Sequence, residues 1–254
     1  MTQKGVRVVK VGGALVKSRT RVAELAALLG GDGRSCVLVH GGGTEVTDLQ
    51  HALGFETEWH QGLRVTGDAA LDATIMVLCG TVNRRIVTAL NLAGVAAVGL
   101  SGIDDATIRA QPLANGGLGH VGEPETVRTA LLRTLLDAGF LPVLAPLSAG
   151  PAGPLNVNAD LAAAAVAAAL GAEELLLLTD VPGVLTGSEI AQVAHLSDID
   201  DWIDDGTASA GMIPKLRAAG VAARAGVSVR IGPFGMLSDP GAGTRVEAAG
   251  VVAA

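Results

Sequence analysis

Lys10 stands near the end of a run of β-branched residues, VRVVKV, that breaks at Gly12 and Gly13. A cation followed by residues without side chains suits an anion that the backbone must approach closely. VHGGGTEV repeats the theme: Gly41, Gly42 and Gly43 separate an apolar run from a helical one, where bare N–H groups and a helix N-terminus can hold negative charge. NVNAD sets Asn156, Asn158 and Asp160 at alternate positions. Either Asp160 caps the alanine-rich helix that Gly171 ends, or the three polar groups project side by side toward a ligand. Lys215 follows Pro214 in the first turn of a predicted helix, which the helix dipole disfavours by roughly 0.3 to 1 kcal/mol. It bends into solvent or faces an anion that offsets this cost. Arg64, in QGLRVT, is a surface arginine or a bidentate clamp for a carboxylate.

Other chemistries find no footing. GxxxxGK[ST] is absent, as is GxGxxG after the first strand, and no GxSxG elbow occurs. The histidines at 40, 51, 60, 120 and 195 have neither HxxxH nor HExxH spacing, so no protein-ligated metal is expected.

These residues need a scaffold. Short apolar runs at 6–11, 36–40, 95–100, 141–147, 174–180 and 227–232 read as strands buried on both faces. Helical segments are expected at 20–30, 44–53, 68–92, 124–138, 160–170 and 211–225. The alternation predicts an α/β fold, a three-layer αβα sandwich with a mostly parallel central sheet. Glycines or polar loops follow several strands, marking the crevice beyond their carboxyl ends. Residues 105–122 are expected to form a hairpin over that rim, and the SAGPAGP segment at 148–154 a hinge between lobes 1–150 and 151–254.

Composition narrows the function classes. With 49% hydrophobic residues over 254 positions, a large core is available, and disorder is excluded. Only 2% of residues are aromatic and the net charge is −7, which argues against nucleic acid as a partner. Cys36 and Cys79 sit in apolar runs without metal spacing and read as buried free thiols. No signal-peptide pattern opens the chain, and LAAAAVAAALGA is too short for a bilayer, so a cytoplasmic protein without a membrane partner is expected.

Taken in order, KVGGAL, VHGGGTEV, GLRVT, CGTVNRRIV, GLSGID, LGHVG, NVNADLAA, LLTDVPGVL and GMIPKL resemble the amino-acid kinase family, from residue 6 to GAGTRV near the end. Within it the resemblance is to members that phosphorylate N-acetyl-L-glutamate in arginine biosynthesis. It implies that Lys10 and Lys215 embrace the transferring phosphoryl group from opposite lobes and that Asp160 orients both. Gly13 and Gly42 would donate N–H bonds to that group. Arg64, Asn156 and Asn158, with Gly42 and Gly43, would bind the acidic substrate. ATP, with Mg²⁺ carried on its phosphates, would meet Gly12 and Gly13, the segment Thr179, Asp180, Val181, Gly183, Val184 and Leu185, and the loop holding Ser209 and Gly211. A γ-carboxylate with a pKa of about 4.3 is ionised at neutral pH, so no general base is needed. Ala210 stands where the family usually has glycine. Only five residues precede the first strand, so a homodimer insensitive to arginine is expected in place of the arginine-inhibited hexamers, whose assembly uses an extra N-terminal helix. Sister enzymes acting on carrier-bound α-aminoadipate share GLSGID and CGTVN, while NVNAD and GLRVT fit the acetylglutamate pattern better. A non-catalytic nucleotide-binding regulatory module is the alternative from another class, against which Lys10, Lys215 and Asp160 together speak.

Overall fold

The computed structural model describes residues 5–60, 63–113, 117–187, 189–208 and 211–248. Eleven strands form its central sheet: β1 Arg7–Val11, β2 Cys36–His40, β3 Ala97–Gly102, β4 Ile108–Pro112, β5 Val121–Val127, β6 Leu141–Ala149, β7 Pro154–Val157, β8 Glu174–Leu178, β9 Val193–His195, β10 Ser228–Gly232 and β11 Thr244–Glu247. Their order is β9-β11-β10-β8-β1-β2-β6-β4-β5-β7, with β3 on the free side of β6. Pairing is parallel through the centre, β10-β8-β1-β2-β6, and antiparallel at β10–β11, β4–β5 and β6–β7. The expected sandwich is thus observed, with β1 at its middle.

Helices cover both faces. On one lie α7 (Ala159–Leu170), α9 (Ile213–Arg224), α6 (Ala130–Asp137) and α8 (Leu196–Asp204). On the other lie α2 (Arg19–Asp32), α3 (Gly43–Ala52), α4 (Asp68–Ile75) and α5 (Asn83–Leu92), while the short α1 (Gly13–Lys17) follows β1. Strand side chains alternate between the layers: Val8 and Leu177 join the α7 side, Val9, Val11 and Leu176 the α2 side. Full burial of each such valine or leucine contributes about 1.5–3 kcal/mol. By the same alternation Lys10 emerges on the α7 and α9 face.

Two expectations change, and a third, the helix over 68–92, holds with an unexpected middle. Residues 121–127 are a strand, so the helix predicted over 124–138 starts only at Ala130; the turn-rich hairpin continues into the sheet, where Val121 and Gly122 pair with β7. The 148–154 segment is a tight turn joining antiparallel β6 and β7, closed by Gly150 N–H donating to Gly153 C=O at 2.9 Å. Residues Asp68–Leu92 form one continuous rod whose middle, Met76–Val82, is π-helical. That rod has the length and composition of a bilayer span, yet its stripe of Leu71, Leu78, Val82, Ile86 and Leu90 packs in the core.

Candidate active site

The site forms where β1, β2 and β7 run out. After β1, Gly12 is the N-cap of α1; after β2, Gly42 is the N-cap of α3; after β7, Asn158 is the N-cap of α7. The two glycine loops touch: a Cβ on Gly13 would stand 3.4 Å from both Gly42 Cα and Gly43 N. An added methyl would thus sit at the edge of ordinary contact between the two loops, so glycine keeps both backbones open to one ligand.

Asn158 settles the two readings of NVNAD. Its Oδ1 accepts from Asp160 N–H at 2.8 Å and from Leu161 N–H at 3.2 Å, so Asn158 caps α7 and Asp160 does not. The carboxylate of Asp160 is thereby free to meet Lys10, Oδ1 to Nζ at 2.8 Å, and Lys215, Oδ2 to Nζ at 3.4 Å. Pro214 is the second residue of α9, so Lys215 falls in the first turn, facing α7 and not solvent. Lys10 and Asp160 are 5% and 4% exposed. Burial alone would raise the Asp160 pKa, but the two ammonium groups outweigh it and hold the carboxyl below its ordinary range. Burial, helped by Lys215 and opposed by Asp160, lowers that of Lys10.

Beside this triad is a cavity of about 230 Å³, lined among others by Lys10, Gly42, Trp59, Arg64, Asn156 and Asp160. Arg64 is held by four neutral oxygens: Nη1 donates to Gln50 Oε1 at 2.6 Å and Thr57 Oγ1 at 3.1 Å, Nη2 to Gly43 C=O at 2.7 Å and Thr47 Oγ1 at 2.9 Å. The Trp59 ring lies against the guanidinium, 4.7 Å from centroid to Cζ. No carboxylate among the described residues pairs with Arg64, and desolvation lowers its pKa. It is not a surface arginine. Asn156 Nδ2 donates to Thr66 Oγ1 at 3.2 Å, tying β7 to the segment carrying Arg64.

On the opposite side of the lysines lie two further clefts. One of about 740 Å³ is bordered by Lys10, Gly12, Gly13, Thr179, Asp180 and Lys215. The next, about 700 Å³, takes in Thr179, Asp180, Val181, Gly183, Leu185 and Gly211. Val184 is the exception: its side chain turns into the core and its N–H donates to Thr244 Oγ1 at 2.8 Å. Ser209 and Ala210 lie outside the described residues. Among the described residues no group of three His, Cys, Asp or Glu side chains could hold a metal. Cys79 is half-buried, with its thiol pKa pushed up by burial and then by Asp104, and Cys36 is buried.

Sequence reasoning missed the cradle of Arg64. Thr47 and Gln50 are three apart on α3 and therefore share a face, the one signal that could have found them. It also passed over His40, fully buried below the glycine loop, whose Nδ1–H donates to Gly41 C=O at 2.9 Å while Nε2 accepts from Asn83 Nδ2 at 3.1 Å.

The Lys10–Asp160–Lys215 triad thus lies between a small cavity lined by Arg64 and a larger cleft, a concentration of positive charge suited to anions. The family model described as the amino acid kinase family matches residues 5–233, and the chain belongs to that family. Among relatives, the acetylglutamate kinase of Roseiflexus sp. (strain RS-1) is 50% identical over 222 residues, 87% of this chain and 85% of its own. That of Rubrobacter xylanophilus is 46% identical over 94% of each chain. A crystal structure of N-acetylglutamate synthase from Neisseria gonorrhoeae, complexed with coenzyme A and N-acetyl-glutamate, superposes with a TM-score of 0.84 at 26% identity, over 98% of this chain and 61% of that one.

Proposed function

We propose that this protein is an acetylglutamate kinase, transferring the γ-phosphoryl group of ATP to the γ-carboxylate of N-acetyl-L-glutamate, a step of arginine biosynthesis in the cytoplasm. One observation carries the reading. A buried guanidinium that has no carboxylate partner among the described residues and a buried Lys–Asp pair line one small cavity, a charge arrangement that needs an acid to complete it.

Arg64 binds the α-carboxylate, and Asn156 with the backbone of Gly42 and Gly43 binds the acetamido group and acyl chain. The γ-carboxylate oxygen, already ionised, attacks the γ-phosphorus in line as the bond to the β-phosphate bridging oxygen breaks, giving an acyl phosphate and ADP. No proton has to move. Lys10 and Lys215 neutralise charge on the phosphoryl oxygens, Asp160 holds both ammonium groups at the right separation, and N–H groups of Gly13 and Gly42 share the load. Magnesium enters as part of the nucleotide substrate, on its phosphates. The nucleotide occupies the clefts bordered by Thr179, Asp180, Gly183 and Gly211, so residues 1–150 form the amino-acid lobe and 151–254 the nucleotide lobe. The working unit is a homodimer; Met76 and Leu92, 60% and 84% exposed on the long rod, are apolar surface available for pairing.

Hydroxamate trapping of the acyl phosphate tests the reading. N-acetyl-L-glutamate should give product with ATP and Mg²⁺, whereas glutamate and carrier-bound α-aminoadipate should not. Turnover of the carrier-bound acid alone would move the protein to the lysine branch.

A further inference from the structure

We propose that Gln50 is a positioning residue that selects which edge of the Arg64 guanidinium meets the acid substrate, and that its neutrality keeps the charge of Arg64 available to that acid. The inference rests on the reading of Arg64 as the carboxylate clamp.

Gln50 is 1% exposed on α3 and does not line the cavity. Its Oε1 accepts from Arg64 Nη1 at 2.6 Å and from Thr57 Oγ1 at 2.5 Å. Arg64 has five N–H donors. Two on Nη1 go to Gln50 and Thr57, two on Nη2 to Gly43 C=O and Thr47 Oγ1, and Nε–H has no protein acceptor among the described residues. A carboxylate binding in fork geometry takes two parallel N–H groups. Access decides which pair. Gly43 borders the cavity, so its carbonyl and the neighbouring Thr47 hydroxyl can yield Nη2, whereas the deeper Gln50 keeps Nη1. The edge left for the acid is therefore Nε with Nη2, and the fixed Nη1 sets its angle.

The choice of amide over carboxylate follows from charge. A glutamate here would satisfy the same hydrogen bonds with almost the same shape, but it would neutralise the cation that the substrate has to find. Four neutral oxygens orient Arg64 without spending its charge.

Gln50→Glu separates this role from a structural one, because it keeps size, acceptor and packing. At saturating Mg-ATP the KM for N-acetyl-L-glutamate should rise about tenfold or more, with kcat within about twofold, KM for ATP unchanged and Tm not lowered. Gln50→Met, which cannot hold Nη1, should also raise the KM for the acid and leave that for ATP alone. A role in folding alone predicts an unchanged KM in Gln50→Glu, and that result, in an enzyme whose unsubstituted form is active, overturns the proposal. If Gln50→Glu does not fold, an unchanged KM in Gln50→Met does the same. Failure of the unsubstituted protein to phosphorylate N-acetyl-L-glutamate overturns the functional reading first, and this inference with it.

Discussion

Lys10 is an ammonium group almost without water, and what keeps it charged is a carboxylate 2.8 Å away that a second lysine also uses. Two cations around one anion leave a net positive charge in a poorly solvated place, which an incoming phosphoryl group relieves. Charge alone is not enough; the atoms must lie at the developing charge. Lys10→Arg, which keeps charge and changes shape, and Asp160→Glu, which moves the carboxylate by one methylene, should each lower kcat by about 10²–10³. ATP dissociation constants measured by calorimetry should change far less, and an unchanged kcat in both variants would remove the mechanism. His40 is neutral for a related reason. Burial, with Arg84 adding and Gly41 C=O opposing, brings its pKa down from 6.5 to about 4. Below pH 6.5 the unfolded chain takes up a proton that the folded one refuses, so stability is complete above that pH and is lost as pH falls toward 4. From pH 7.5 to 5 the loss from this residue is on the order of 2 kcal/mol. Urea titrations of the protein and of His40→Gln should show that difference in slope; parallel profiles would mean that the imidazole is protonated in the fold.

Elements hold these residues through contacts with little slack. The π-helical segment Met76–Val82 passes beneath the second glycine loop, and a Cβ on Gly42 would lie 2.7 Å from Leu78 Cδ2 and 3.2 Å from Val82 Cγ2. On Gly43 the added atom would meet only Arg64 Nη2, at 3.7 Å, an ordinary contact. Displacing a substrate-facing loop by about 1 Å can cost a factor of 10². Gly42→Ala should therefore reduce kcat/KM at least about tenfold more than Gly43→Ala; equal effects would show that the loop shifts without consequence. In the sequence these neighbouring glycines look alike, since what separates them is a leucine more than thirty positions later. The central strands and most helices were legible because fully buried strands read as continuous apolar runs. The β5 strand was lost to the helix predicted over 124–138, because VGEPETV carries no apolar run; its pairing with β4 extends the local hairpin further than expected, and its pairing with β7 comes from chain more than thirty residues later. Of the two readings left open for NVNAD, the cap falls to Asn158, two residues before Asp160. Lys10 and Lys215 were visible as charges in apolar or dipole-opposed places, and Asp160 through its alternation with Asn156 and Asn158; Gln50 showed only the helix face it shares with Thr47, and Thr57, in irregular chain after α3, was invisible.

Across the whole molecule the proposed reading gives the two ligands to different stretches of chain. The small cavity, assigned there to the acid, is lined by residues from Lys10 to Asp160, and the outer cleft, assigned to the nucleotide, by residues from Thr179 to Lys215. One uninterrupted sheet runs beneath both, and the tight turn at 148–154 offers no slack between its strands. Lys10 and Gly13 border both the small cavity and the cleft next to it, and Asp160, on the cavity side, joins Lys10 to Lys215, on the cleft side. If recognition is partitioned in this way, damage to one ligand's binding should not pass to the other except through the triad. Arg64→Lys makes the test sharp. It retains a cation in the cavity but cannot form a fork with a carboxylate, a loss of roughly 1.5–3 kcal/mol. The KM for N-acetyl-L-glutamate should rise by about 10- to 100-fold, while ATP binds to the free enzyme with unchanged affinity. A parallel loss of ATP affinity in Arg64→Lys would mean that the two halves are coupled through the sheet, and that the division into an amino-acid lobe and a nucleotide lobe fails.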